Sequence, residues 1–390
     1  MFRILFVEEA PAVGGSSFSL LQLTRGLDRA RYEPFALFRY DLPVRMKFEA
    51  LGIRTATWAT IFGRDGQAPS DAPPRELPAY KRTNLYRLLW SAKAYAARQR
   101  ADSLALATWI EHEAFSLLHA NNSASANLGA IVAAARAHIP AVSHQRGCFR
   151  LTPLHRHLAR RVKRFICVSD AVREHYIGEG LPAGKVQTIY NGIDVESLKP
   201  RAKEKRGYVL VGWSGRFELW KGAITFVDAA RIILSKRDDV RFLMAGTGPE
   251  EQTIRRRVEA DAILAKGVRL AGFRPDALDL IAGCDLFVNS SIEPEPLSRS
   301  ALEALAFGVP VVASDSGGNP EIVAQGENGL LFEPGNAGSL EAALTRLIDD
   351  EALRTRCSRE GRRRAEALFN AERYVHAVSS LYAGILDGKD

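Results

Sequence analysis

The sequence predicts an α/β protein made of two Rossmann-like domains, and three observations predict it. Short apolar runs rich in β-branched and aromatic residues alternate with helix-spaced stretches along most of the chain. The alternation falls into two series, separated by the polar stretch 199–207, Lys-Pro-Arg-Ala-Lys-Glu-Lys-Arg-Gly. At 390 residues, the chain has room for more than one core. Continuously apolar strands lying between helices are what a parallel sheet covered on both faces requires.

The elements follow in order. The run 3–7 leads into Val13-Gly14-Gly15-Ser16 and then into Phe18, Leu20, Leu21, Leu23 and Leu27 at helical spacing. Further strands are expected at 35–38, 115–118, 139–143, 165–168 and 186–189. The second series places strands at 208–211, 240–245, 268–270, 286–289 and 309–313. Helices are expected between them at 223–234, 250–264, 298–307 and 340–348, and a last one at 369–386 caps one of the two domains. Two regions break the rhythm. The stretch 62–78 is rich in Gly, Pro and Asp and reads as a long loop. In 80–100, Leu85, Leu88, Leu89, Ala92 and Tyr95 or Ala96 share a helical face, while Lys81, Arg82, Arg87, Lys93, Arg98 and Arg100 carry charge. Such a helix either lies on anionic lipid or packs on the sheet with its basic side in water.

Composition narrows the class. A chain 46% hydrophobic and 25% charged is an ordinary globular one, not a disordered one. No apolar run is long enough for a membrane span, and the first residues have too short an apolar stretch for a secretory signal. Cys148, Cys167, Cys284 and Cys357 stand far apart with no C-x-x-C pair, which argues against a zinc knot or disulfide framework and fits a reducing cytoplasm. The net charge is +8, and residues 75–164 hold 15 Lys/Arg against 4 Asp/Glu, a local +11 that leaves −3 for the rest. A basic region of this kind implies a polyanionic partner: nucleic acid, an anionic membrane surface or phosphorylated small molecules. Composition does not choose among them.

Ligands of open parallel sheets sit at the carboxyl ends of the strands, so the residues that follow strands carry the chemistry. After the 208–211 strand comes Trp213-Ser214-Gly215-Arg216-Phe217-Glu218-Leu219-Trp220-Lys221-Gly222. Its two cations, Arg216 and Lys221, are set among small residues and suit a diphosphate. The second constellation is Ser290-Ser291-Ile292-Glu293-Pro294-Glu295-Pro296-Leu297-Ser298-Arg299-Ser300-Ala301-Leu302-Glu303. Glu295 sits in a Pro-bounded turn, Ser298 is placed to cap a helix, and Glu303 lies within that otherwise apolar helix. Backbone amides at Arg299 and Ser300 suit a phosphate. Two carboxylates also fit hydrolytic acid/base work, but the phosphate-type features beside them favour an activated sugar. There is no G-x-x-x-x-G-K-[ST], G-x-S-x-G or H-E-x-x-H, and Gly246-Thr247-Gly248-Pro249 lacks the third glycine of a dinucleotide fingerprint. Among the histidines, His144 follows the 139–143 strand, and His119 competes with it.

The order of these motifs resembles a known family. Gly14-Gly15, Ser143-His144, Val168-Ser169 with Asn191-Gly192-Ile193-Asp194, Gly215-Arg216 with Lys221-Gly222, Ala245-Gly246-Thr247-Gly248-Pro249, the Glu295-to-Glu303 spacing and Gly308-Val309-Pro310 leading to Gly317-Gly318-Asn319-Pro320-Glu321 together look like a retaining family-4 glycosyltransferase of the GT-B fold. The resemblance covers nearly the whole chain and is strongest over 168–332. It implies that the two domains face each other across a cleft. Residues 1–200 would form the acceptor side and 201–368 the nucleotide-sugar side, with 369–390 as a helix crossing back to the first domain.

The resemblance also implies roles. Arg216 and Lys221 match positions that bind the donor diphosphate, Glu303 the carboxylate that holds the ribose, and Glu295 the one near the transferred sugar. The amides of Arg299 and Ser300 would face the phosphates and Phe273 the base, while Gly15 would let its loop approach the donor. His144 matches a histidine near the reacting end, a hydrogen-bond partner for the sugar and not a nucleophile. No metal or other cofactor is expected, because Arg216, Lys221 and a helix dipole replace it. The chain departs from the family at Leu297-Ser298, where Phe-Gly is common; Ser298 would forbid the glycine's freedom and narrow the sugar pocket. No acidic residue follows soon after Gly14-Gly15-Ser16-Ser17.

The implied reaction moves a hexose from a nucleotide-diphospho-sugar to a hydroxyl of a glycan or lipid-linked acceptor, with the anomeric configuration kept. It would serve cell-surface polysaccharide or glycolipid synthesis, in the cytoplasm or on the inner membrane face. The basic region, 75–164, fits an anionic membrane surface or a lipid-diphosphate acceptor better than nucleic acid, for which no motif is present. The alternatives are a sugar-nucleotide epimerase of the same fold and a non-catalytic scaffold that keeps it.

Overall fold

The computed structural model describes residues 1–63, 100–201 and 206–388. Most of the expected loop 62–78 and of the expected basic helix 80–100 lies outside them. The chain divides into two compact units, Met1–Gly192 with Ala371–Asp390, and Ile193–Asn370. Each is a parallel sheet covered by helices, as the alternating pattern predicts.

In the first unit the strands are β1 (Phe2–Glu8), β2 (Tyr32–Phe38), β3 (Arg54–Thr57), β4 (Leu117–Ala120), β5 (Ala141–Gln145), β6 (Arg164–Cys167) and β7 (Val186–Thr188), in the order β3-β2-β1-β4-β5-β6-β7. Phe6 is registered with Ala36 on one side and His119 on the other. Ile4, Phe6, Phe38, Leu117, Val142 and Ile166 pack against Leu20 and Leu23 of the helix Gly15–Gly26. The same core takes Tyr374, Val378 and Tyr382 from the last helix, Ala371–Leu386. Polar contacts also fix that helix, among them Tyr382 Oη to His119 Nδ1 at 2.6 Å and Tyr32 Oη to the Ser379 carbonyl at 3.2 Å.

In the second unit the strands are β8 (Val209–Ser214), β9 (Val240–Ala245), β10 (Val268–Leu270), β11 (Leu286–Asn289), β12 (Val311–Ser314) and β13 (Gly329–Phe332), in the order β10-β9-β8-β11-β12-β13. Val211, Phe226, Phe242, Met244, Val288 and Leu344 form its core. The chain joins this unit before the polar stretch 199–207. Ile193 N–H donates to the Phe369 carbonyl at 2.8 Å, and the Arg362 guanidinium in the helix Glu351–Leu368 binds the carbonyls of Val195 and Leu198.

Three local expectations are corrected. The helix expected over 250–264 is two helices, Glu251–Glu259 and Ala262–Gly267, because the Asp261 carboxylate accepts the amides of Ile263 and Leu264 and starts a new helix. The strands β3 and β13 are additions to the expected set. β3, at a sheet edge, is Arg-Thr-Ala-Thr and carries no apolar run, whereas β13, Gly-Leu-Leu-Phe, is itself a short apolar strand at the edge of the second sheet. The strand expected over 139–143 ends at Gln145, so His144 lies within β5 and not after it. Among the described residues no helix is long and apolar enough to cross a membrane, and all four cysteines are free thiols.

The His119 contact carries a pH dependence. Burial, with the Arg146 charge adding to it, holds the imidazole at about 3, against an ordinary 6.5. The neutral ring belongs to the folded state, so its contribution is complete above the unfolded value and is lost as pH falls toward the folded one. Between pH 6.5 and about pH 4, this group should remove about 3 kcal/mol from the first unit's stability. Denaturant unfolding across that range checks it: His119→Phe should show the flatter profile, and parallel profiles would refute the burial argument.

Candidate functional site

In the second sheet β8 and β11 lie side by side at the centre, with β9 and β10 to one side and β12 and β13 to the other. A parallel sheet of this order opens a crevice where the order reverses, beyond the carboxyl ends of those two strands. The loops leaving them are locked together. Trp213 Nε1 donates to Ser290 Oγ at 2.9 Å, and that hydroxyl lies 2.8 Å from the Gly222 carbonyl. Ile292 N–H donates to the Trp220 carbonyl at 2.8 Å. Gly222 has a left-handed φ of +65°, and a Cβ there would stand 1.9 Å from the Ser290 carbonyl oxygen, so only glycine fits. The loop after β9 joins in through Phe217 N–H to the Thr247 carbonyl at 2.9 Å, and the loop after β12 through Gly318 N–H to the Glu295 carbonyl at 2.7 Å.

This interlocking brings Lys221 and Glu295 together. The ammonium lies 2.6 Å from Glu295 Oε2 and 4.1 Å above the Trp220 ring. Ser291 Oγ donates to the same carboxylate oxygen at 2.6 Å, and Glu295 is buried. An ammonium has three donors, so one contact to Glu295 leaves others to offer. Arg216, expected to act with Lys221, is 59% exposed in its side chain and pairs with Glu218 at 2.9 Å.

Glu303 stands in the helix Arg299–Ala306, 2.8 Å from Arg299 Nε. Burial raises its carboxyl above the ordinary value against the pull of Arg299. Ser298 caps that helix by accepting the Ala301 amide at 3.3 Å, with a φ of −69° that any residue adopts. The expectation that serine there forbids a needed conformation is therefore corrected: the backbone requires no glycine, and the hydroxyl serves as the cap. Ser300 is half-buried, its hydroxyl 3.3 Å from that of Ser298. Phe273, after β10, projects an exposed ring.

In the first unit, Gly15 opens its helix, is exposed and is not among the left-handed glycines. His144 is wholly buried in β5, its ring centroid 5.4 Å from that of His119. Its Nδ1 faces Arg146 Nη2 at 3.3 Å, and its Nε2 is a buried atom without a hydrogen-bond partner among the described residues. Burial first, then the charge of Arg146, holds His144 well below its ordinary value, so the ring is neutral.

The structure adds residues that the spacing of motifs missed. Arg146 binds Asn121 Oδ1 at 2.8 Å, Asn191 Oδ1 at 2.6 Å and Tyr374 Oη at 3.1 Å. Asn121 in turn donates to the buried Glu8 carboxylate at 2.7 Å. Glu8 ends β1 and Asn121 follows β4, the neighbouring strands at which the first sheet's order reverses. The position of both at strand ends was the available signal. Beside them, burial lifts the Glu9 carboxyl to about 7 against the opposing charge of Arg39. Among the described residues no group of three or more His, Cys, Asp or Glu is placed to hold a metal ion.

Comparison with known proteins shows the family of the chain. Residues 13–197 match the family described as Glycosyltransferase Family 4, and residues 194–364 the one described as Glycosyl transferases group 1. The chain is 29% identical to the putative glycosyltransferase EpsD of Bacillus subtilis over 57% of this chain and 61% of that one. It is 27% identical to the Escherichia coli UDP-Gal:alpha-D-GlcNAc-diphosphoundecaprenol alpha-1,3-galactosyltransferase over 72% of this chain and 78% of that one. It is 33% identical to the phosphatidyl-myo-inositol mannosyltransferase of Mycobacterium leprae over 53% and 54% of the two chains. The chain thus spans less than two thirds of several curated relatives it matches. Anabaena Alr3699/HepE, crystallised in complex with UDP and glucose, shares the fold with a TM-score of 0.77 at 23% identity, over 98% of this chain and 100% of that one.

The turn that carries Glu295 is open to test. Gly317 has a φ of +59°, and a Cβ there would lie 2.3 Å from the Glu295 carbonyl oxygen. Gly317→Ala should cost about 1–3 kcal/mol of stability through the left-handed backbone, with the clash added. Gly326→Ala is also left-handed, but it faces open space and should cost less. Thermal unfolding of the two variants checks the ranking; equal losses would mean that the turn at Glu295 yields freely.

Proposed function

The chain belongs to the family-4 glycosyltransferases, with two Rossmann-like domains of the GT-B fold, and from that membership we propose that it transfers a hexose from a nucleotide-diphospho-sugar to a hydroxyl with retention of configuration. The observation that carries the reading is the Lys221–Glu295 pair, held at 2.6 Å where the order of the second sheet reverses. Lys221, with donors to spare, and Arg216, exposed on the neighbouring turn, bind the diphosphate. The first-turn amides of the helix Arg299–Ala306, at Arg299 and Ser300, add the positive end of its dipole. These groups take the place of a metal ion in stabilising the departing diphosphate. Glu303 accepts the ribose hydroxyls, Phe273 offers its ring to the base, and Glu295 orients the transferred sugar.

The first unit supplies the acceptor side. His144, kept neutral by burial, acts as a hydrogen-bonding group and not as a cation. Gly15, at the head of its helix, belongs instead to the donor-binding residues. The departing phosphate helps to deprotonate the acceptor hydroxyl on the same face, and placement of the two substrates supplies most of the remaining catalysis.

A glycan or lipid-linked acceptor fits the basic first half, in which Arg160, Arg161 and Lys163 stand exposed. The Escherichia coli and Mycobacterium leprae relatives are named for lipid-borne acceptors. The protein then works in the cytoplasm, on or near the inner face of the membrane, in polysaccharide or glycolipid synthesis.

Thermal shifts with UDP, GDP, ADP and dTDP, with and without magnesium, are the first test. One nucleotide should stabilise the protein independently of metal. Arg216→Ala and Lys221→Ala should each weaken it by about 1–3 kcal/mol, the scale of a charged hydrogen bond. Unchanged binding in both would overturn the diphosphate site. With donor and acceptor in hand, NMR of the first-formed product should show the donor's anomeric configuration, and an inverted product would refute retention. Glu295→Ala should lower turnover more than nucleotide affinity; the reverse would exchange the roles of the two carboxylates.

A further inference from the structure

The second unit has a cavity that none of this chemistry uses. It lies where the strands begin, not where they end. Its lining includes Tyr208 just before β8, Arg241 and Phe242 in β9, Lys266 and Gly267 just before β10, and Arg269 within it. The proposed donor loops leave the other ends of the same parallel strands. Across the six residues of β9 the two edges of the sheet are about 17 Å apart.

The cavity has a volume of about 720 Å³, within the range that encloses small ligands. Five basic side chains line it, Arg201, Arg206, Arg241, Lys266 and Arg269, against one carboxylate, Asp279. That carboxylate is taken by Arg201 at 2.7 Å. Lys266 and Arg269 are exposed, with no carboxylate partner among the described residues. Crowding like charges around a concave surface is unfavourable by itself and is relieved by a bound anion.

The geometry is also partly built. The Tyr208 ring has a guanidinium on each count, Arg206 at 5.7 Å and Arg241 at 5.5 Å from its centroid. Arg206 is further held by the Gly283 carbonyl at 2.7 Å and paired with the Asp285 carboxylate at 3.5 Å, and Arg241 by the carbonyls of Asp238 and Val240, each at 2.7 Å. Planar guanidiniums held in this way lose little freedom on meeting a phosphate, which they bind through two parallel N–H groups.

We propose that this cavity is a second anion site, taking a ligand with two or more phosphoryl groups, and that it is separate from the donor loops. A soluble polyphosphorylated metabolite and the headgroup of an anionic lipid present the same oxyanions. The site does not depend on the glycosyltransferase reading, because no residue of it belongs to that machinery.

Inorganic pyrophosphate and vesicles containing cardiolipin, an anionic lipid whose headgroup bears two phosphates, serve as the two probes. They are titrated by calorimetry and by sedimentation into wild type, Arg241→Ala/Arg269→Ala, Lys266→Glu and Arg216→Ala/Lys221→Ala. If the site is real, pyrophosphate binding should survive in Arg216→Ala/Lys221→Ala. It should weaken about tenfold or more in Arg241→Ala/Arg269→Ala and in Lys266→Glu, and fall with added salt. The exposed Lys266 keeps the test open if the double variant folds poorly. Vesicle binding that falls with the same substitutions, without a pyrophosphate response, assigns the site to a lipid headgroup. Binding of both probes that is unchanged by Arg241→Ala/Arg269→Ala and Lys266→Glu would overturn the proposal. So would pyrophosphate binding that is abolished only in Arg216→Ala/Lys221→Ala. The thermal response to nucleotide should be intact in the Arg241, Arg269 and Lys266 variants, which separates failure here from failure of the donor site.

Discussion

The contact between Lys221 and Glu295 is the constraint from which the second unit's loop edge is built. Its partners come from loops 74 residues apart in sequence, and both charges are largely withdrawn from water. A pair of this kind is costly to desolvate, and short contacts with further donors offset that cost. Ser291 supplies one such donor, and the Trp220 face beneath the ammonium supplies another favourable field. The result is a lysine that is already held in place before any ligand arrives. Around it, Ser290, Gly222 and Gly318 fix the two loops so that neither charge can swing away without breaking backbone contacts.

The first unit solves a similar problem with a different cation. Arg146 is satisfied by two amides, a phenol and an imidazole, and among the described residues it reaches no carboxylate directly. The nearest acid in the network, Glu8, touches it through Asn121. Burial keeps the His144 imidazole neutral, and the positive charge this arrangement holds beside it acts in the same direction. It also ties the last helix to the sheet through Tyr374, beside the separate contact of Tyr382 with His119. Polar groups in both units therefore gather at the place where strand order reverses, because neighbouring loops there diverge and leave backbone and side-chain groups facing open space.

The architecture was legible in the sequence because parallel sheets are written in short-range signals. Buried strands must be apolar throughout, and helices must repeat every three to four residues. Those signals located the inner strands and failed at β3, an edge strand whose Arg-Thr-Ala-Thr has little apolar character; β13, the other added edge, is a short apolar run, Gly-Leu-Leu-Phe. Similarly, Asp261 looked like one more polar residue on a helix face, yet its carboxylate ends one helix and begins the next. Ser298 was read against the family pattern as a loss of freedom, whereas the helix uses it as a cap. In each case the residue type was visible, but its hydrogen-bond partner was not.

By itself the sequence determined the two parallel sheets, the positions of Arg216, Lys221 and Glu295 in loops after strands and of Glu303 within a helix, and the family that their order indicates. Only the tertiary structure decided that Lys221 faces Glu295 while Arg216 faces solvent and Glu218, that His144 lies within a strand, and that Arg146 links Asn121, Asn191 and Tyr374. The reason is one of range. Apolar periodicity and capping are settled within a few residues. The partner, burial and charge state of an ionisable side chain are set by atoms that folding brings from elsewhere in the chain.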